Sequence, residues 1–226
     1  MSLFYTVDAR CGKCGITSNV QLSASVNADR RPDLRQAILD GTFQAVTCPS
    51  CGTALRLPAH ITYLDMRRGQ WILVEDAGQI AQWPAVETEA TELFSTSFGA
   101  SAPPLQRTIG ADLKARLVFG WPALREKLLA AEAGLDDVVL ELLKISVIRN
   151  VPDSPLSDST ELRLAAASDS ALTLQWINTA SEQSIADLSL ERSLYDELAA
   201  DLEPWSELKA QLEAGLFVDM NRIIRA

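Results

Sequence analysis

The chain has four cysteines, and all of them fall in two C-x-x-C pairs, Cys11/Cys14 in "CGKCG" and Cys48/Cys51 in "CPSCG". Four thiols scattered at random over this length would pair in that way only on the order of a few times in ten thousand. Each pair is followed by a glycine, Gly15 or Gly52. A tight turn that lifts two sulfurs toward one ion, with backbone N–H groups aimed at them, needs a residue tolerant of positive φ at that point. Two such turns close a tetrahedral four-cysteine shell with zinc about 2.3 Å from each sulfur. Four thiolates on one divalent ion leave no open coordination position, so the expected cofactor is one structural Zn2+ per chain, held by Cys11, Cys14, Cys48 and Cys51. Two other thiol chemistries stand beside it, a dithiol redox centre and iron or another thiophilic metal. The redox alternative needs one C-x-x-C opening a helix after a strand, whereas Thr53 to Leu57 after the second pair reads as a strand.

Other reactive residues are sparse. The single histidine, His60 in "LPAHITY", reads as a rim residue of the cysteine module rather than a ligand or base. Arg30, Arg31, Arg35, Arg67 and Arg68 are the basic features that would touch nucleic acid, and read more simply as solvated surface arginines. Pro152, Asp153, Glu161 and Arg163 loosely mimic the spacing of metal-dependent nucleases, in surroundings whose negative charge opposes a nucleic-acid substrate. The tryptophans at 71, 83, 121, 176 and 205 are too dispersed for a stacking platform and read mostly as core or domain-interface residues, with Trp121 and Trp205, each beside a proline at a helix start, offering the alternative of a groove between domains. No catalytic residue set emerges.

The elements that must position the cysteines are short strands and one helix. "LFYTVDA" leads into the first pair and "TSNVQLSASV" leaves it; "TFQAV" leads into the second and "TALRL" leaves it. Between the pairs, Pro32 suits a first helical turn, Leu34, Ile38 and Leu39 share a face, and Gly41 sits where a helix stops. "ITYLDM" and "QWILVE" flank "RRG" as a hairpin. The small and breaker residues of "STSFGASAPP" read as linker. Beyond it "ARLVF" predicts a strand, "PALREKLLAAEAG" a helix ending at Gly134, and a second helix starts at Asp136 and Asp137. "ELRLAAASDSALTLQWIN" predicts two strands around a turn, and two further amphipathic helices span about Leu190 to Leu202 and Pro204 to Ala214.

At 226 residues and 47% hydrophobic content the chain is expected to fold with real cores. Its charge is uneven. Residues 1–85 hold eight Lys/Arg against seven Asp/Glu, while residues 86–226 hold twelve against twenty-three. That acidity disfavours nucleic acid as partner of the second part and favours a protein partner. The N-terminus lacks the pattern of a secretory signal and no run has the length of a membrane span, so the expected address is the cytoplasm, away from membranes, where paired cysteines stay reduced.

The "CGKCG" pair, "VNADRRPDLRQAILDGTFQAVTCPSCG", "YLDMRRGQWIL" and "RLVFGWPALREKLLAAEAGLDDVVLELLK" together resemble the bacterial CpXC family. The resemblance implies that Cys11, Cys14, Cys48 and Cys51 are the family's four cysteines and brings no established reaction with it; Gly12 stands where proline-containing versions are common, at a position that is no ligand. The expected fold class is α+β: a β-rich zinc-ribbon-like module with a short inserted helix over 1–85, a linker over 86–106, and an acidic domain of amphipathic helices on a small sheet over 107–226. The expected function is a non-catalytic zinc-binding interaction or adaptor protein, with a nucleic-acid-binding ribbon or a thiol redox or metal sensor as alternatives.

Overall fold

Alternation and β-branched content make a strand of Leu3–Arg10 (β1), which turns back through "CGKCGI" into Thr17–Asn27 (β2). The two pair antiparallel from Leu3↔Ser25 to Arg10↔Thr17. The computed structural model describes residues 2–151 and 154–225 of the chain, and among these the fold is mixed α and β, with ten strands in three sheets. By its internal contacts the chain divides into two units: residues 1–76 with 92–121, and residues 77–91 with 122–226.

In the first unit, helix α1 (Pro32–Leu39) follows β2, with Pro32 in its first turn, where its missing N–H is no loss. Arg35, Ile38 and Leu39 form its buried face. Gly41, at φ +70°, ends it. Two three-residue strands, β3 (Ala45–Thr47) and β4 (Ala54–Arg56), form a separate antiparallel hairpin around "CPSCG". The chain then returns to the main sheet as the hairpin β5 (Ile61–Asp65) and β6 (Gln70–Glu75). The completed sheet has the order β1-β2-β5-β6-β7, where β7 is Lys114–Phe119, with β2∥β5 and β6∥β7 parallel and the other two pairs antiparallel. Every residue of β6 is buried, as expected of a strand covered on both faces.

The boundaries expected from composition differ from this division. Residues 86–106 carry most of helix α2 (Trp83–Phe98) and the start of α3 (Pro104–Ala111). Two contacts give the helical state its reason: Phe94 packs on Trp71 with ring centroids 5.2 Å apart, and Phe98 lies 5.8 Å from Phe94. The small residues Ser95, Thr96 and Ser97 between them are carried along, and the breakers begin only at Gly99. Strand β7, which composition assigns to the second part, is an edge strand of the first sheet because its backbone pairs with β6 over six residues.

The second unit holds α4 (Trp121–Glu132, from Pro122 onward), α5 (Asp137–Asn150), α6 (Arg192–Ala200), α7 (Ser206–Leu212) and α8 (Asn221–Ile224), with the three-stranded antiparallel sheet β10-β9-β8. Strands β8 (Thr160–Ala167) and β9 (Ala171–Asn178) are the predicted hairpin; β10 (Ser184–Glu191) is a third strand that the sequence reading missed. Leu140, Leu162, Leu164, Leu172, Leu174 and Trp176 anchor its core. Asp136 caps α5, accepting hydrogen bonds from the amides of Val138 at 2.8 Å and Val139 at 3.3 Å, so the acidic run there is a helix boundary. Among the described residues no helix is long and apolar enough to cross a membrane.

Candidate metal centre

The two cysteine turns are built alike. In the first, the amide of Gly15 donates to the carbonyl of Cys11 at 2.9 Å and that of Cys11 to Ile16 at 2.8 Å; in the second, Gly52 donates to Cys48 at 3.0 Å and Cys48 to Thr53 at 2.8 Å. Gly15 and Gly52 sit at φ +75° and +69°, in the left-handed region that a β-carbon disfavours. Each turn closes a hairpin, the first after the pair Arg10↔Thr17 and the second after Thr47↔Ala54.

The turns bring all four sulfurs together. Cys11 Sγ lies 3.7 Å from Cys51 Sγ and Cys14 Sγ 3.6 Å from Cys48 Sγ, and the four sulfurs lie within 4.8 Å of one another. A tetrahedron whose vertices stand about 2.3 Å from a central ion has an edge of about 3.8 Å, so the set fits a four-thiolate metal site. All four are free thiols; Cys11 and Cys48 are buried, Cys51 is half-buried and Cys14 is exposed.

Hydrogen bonds divide the thiols electrostatically. The amides of Cys14 and Lys13 pull the Cys11 thiol below its ordinary value. The Thr53 hydroxyl, 3.2 Å away, and the Thr53 amide bring Cys51 down to about 6. At Cys14 the Ile16 amide pulls down, but partial desolvation of the sulfur by its neighbours and the hydrogen bonds with Cys51, Cys48 and Cys11 outweigh it and push the thiol up to about 11. Backbone amide donors aimed at sulfur stabilise thiolate, the form a metal requires.

The remaining candidates do not join this site. His60 pairs with Glu75, Nδ1 to Oε2 at 2.7 Å. Arg31 pairs with Asp33 at 2.6 Å, Arg67 with Asp29 at 3.5 Å, and Arg68 and Arg35 both with Asp65, at 3.1 and 3.8 Å. A neighbouring carboxylate thus answers four of the five arginines of the supposed basic face. Of the nuclease-like set, Pro152 and Asp153 lie outside the described residues. Glu161 and Arg163 are buried and ion-paired to each other.

That ion pair belongs to a network the sequence reading missed. Lys144, fully buried, lies 2.9 Å from Glu126 and 2.8 Å from Glu141, both also fully buried. Arg163 reaches Glu126 at 3.0 Å and Asp219 at 2.6 Å, and Lys127 reaches Asp137 at 3.0 Å. The second oxygens are used as well: Glu126 accepts from the Leu164 amide at 2.6 Å and Glu141 from the Met220 amide at 2.9 Å. Burial pushes Glu141 up to about 7 against the pull of Lys144. At Asp219 and Glu126 burial acts the same way, but Arg163 and Lys144 outweigh it and hold both below their ordinary values. The Glu141/Lys144 spacing of three residues in α5 was the available signal, but surface helices carry the same spacing.

A family model described as CpXC protein matches residues 9–144, more than half of the chain and all four cysteines. No curated protein and no solved structure matches the chain.

Proposed function

The chain belongs to the CpXC family, and from that premise we propose that it is a non-catalytic cytoplasmic protein in which Cys11, Cys14, Cys48 and Cys51 hold one structural Zn2+ and the acidic second unit docks a protein partner. The observation that supports the metal reading is the sulfur geometry: edges of 3.6 and 3.7 Å from two glycine-ended turns, with only cysteines in the cluster. An all-thiolate tetrahedral set favours zinc among the metals of a reducing compartment, and it is closed to substrate. The hairpin of Cys48 and Cys51 has strands of three residues, too short to be stable alone, so the bound ion would contribute folding free energy rather than chemistry. The carboxylate partners of Arg31, Arg35, Arg67 and Arg68 weigh against a nucleic-acid interface.

The test is metal analysis of the purified full chain. One zinc per chain, lost with the fold of the first unit in Cys48→Ser, is the expected result. A chain that folds without metal and cycles between dithiol and disulfide overturns the structural reading, and salt-sensitive retention on nucleic acid overturns the choice of partner class.

A further inference from the structure

The two halves of the cysteine cluster have unequal support. Cys11 and Cys14 sit at the end of strands of eight and eleven residues, paired along the whole length of β1. Cys48 and Cys51 sit on a hairpin of two three-residue strands. Tetrahedral coordination fixes the mutual angle of the two turns as well as their separation, so something besides the β3–β4 ladder must orient the second one.

The base of that hairpin converges on one side chain. Trp121, 3% exposed, donates its indole N–H to the Leu57 carbonyl at 2.9 Å, just past the end of β4. On the other arm, Phe43 meets the indole edge-on just before β3, with ring centroids 5.3 Å apart at 78°. The Arg56 guanidinium lies 5.3 Å from the indole centroid and donates to the carbonyls of Gly41, at 3.1 Å, and Phe43. Both entry and exit of the hairpin are thereby clamped to a residue distant in sequence, by an oriented hydrogen bond, an edge-to-face contact and a cation–π contact. An indole can make all three at once; a phenyl ring in the same place loses the hydrogen bond and strands the buried Leu57 carbonyl.

We infer that Trp121 is the positioning residue of the metal centre, setting the orientation in which Cys48 and Cys51 meet Cys11 and Cys14. The inference rests on the metal reading above. Buried Trp71, 2% exposed, provides a matched control: it lies on β6 in the same unit and packs against Phe94.

The experiment uses the full chain and measures zinc affinity by chelator competition, together with the visible absorption of the Co2+-loaded protein, for wild type, Trp121→Phe and Trp71→Phe. Trp121→Phe is expected to weaken zinc about fivefold, the equivalent of one lost hydrogen bond, and to shift the cobalt ligand-field bands, which report the angles between sulfurs. Trp71→Phe is expected to leave both unchanged. Equal effects of the two variants, or none of Trp121→Phe, overturn the inference while the metal reading stands. A wild type that takes up neither ion overturns both. Should Trp121→Phe not fold, Arg56→Met is measured in its place; unchanged affinity and bands in that variant overturn the inference.

Discussion

Lys144→Met is the sharpest perturbation of the second unit. The side chain is fully buried between two fully buried carboxylates, 2.9 Å from Glu126 and 2.8 Å from Glu141. Methionine fills most of the volume and leaves those two acids without their shared cation. Removing one partner of a buried ion pair costs about 3–5 kcal/mol, because the remaining charge is left desolvated. For a unit of this size that lowers the melting temperature by on the order of 10 °C. The loss depends on pH. Lys144 opposes the upward push of burial on both Glu126 and Glu141, so without it both folded-state values rise, and that of Glu141 moves further above its ordinary value of 4.5. The folded state then holds protons that the unfolded chain releases, which stabilises at low pH and fades as pH rises. The deficit relative to wild type is therefore largest above pH 7 and shrinks toward pH 4.5. Denaturant unfolding of the full chain at pH 5 and pH 8, followed by circular dichroism, measures both effects. Adding Glu141→Gln should recover part of the loss at pH 8, because the two sites are coupled. A Lys144→Met deficit below about 1 kcal/mol, or one equal at both pH values, would refute the argument that these charges form a closed, desolvated network.

Glu141→Gln alone should flatten a pH limb. In wild type Glu141, raised to about 7 from 4.5, makes stability decline as pH rises between those values and level off above, while Asp219 and Glu126, held low, remove stability as pH falls through the acid range; unfolding titrations of both proteins should differ only in the first limb. Gly52→Ala places a β-carbon at φ +69° with nothing within 4 Å of it, so the expected cost is conformational, about 1–2 kcal/mol, seen as weaker zinc retention under chelator with no new clash in a solved structure. Asp136→Ala removes the acceptor for the Val138 and Val139 amides and should lower stability by about 1 kcal/mol in denaturant unfolding, with asparagine restoring most of it.

What could be read from the sequence was local. The two cysteine turns are encoded by a residue pair and its following glycine, α1 by Pro32 and Gly41, and the β5–β6 hairpin by two apolar runs around "RRG", all within a few residues of one another. What only the tertiary structure decided was long-range. The parallel pairs β2∥β5 and β6∥β7 join segments whose periodicity carries no record of the partner, and for that reason β7 could be assigned to the wrong part of the chain. Ser95, Thr96 and Ser97 look like linker until Phe94 and Phe98 are seen packed in one cluster with Trp71. Glu126, Glu141 and Lys144 have the sequence spacing of a solvated helix surface, and only the approach of Arg163 and Asp219 from β8 and the C-terminal segment shows them to be desolvated. For the cysteines, spacing determined that two similar turns exist, each presenting two sulfurs. That the four sulfurs meet, and that Trp121 grips the hairpin bearing two of them, is a property of the folded unit, because contacts across such sequence separations are selected by packing and leave no local pattern.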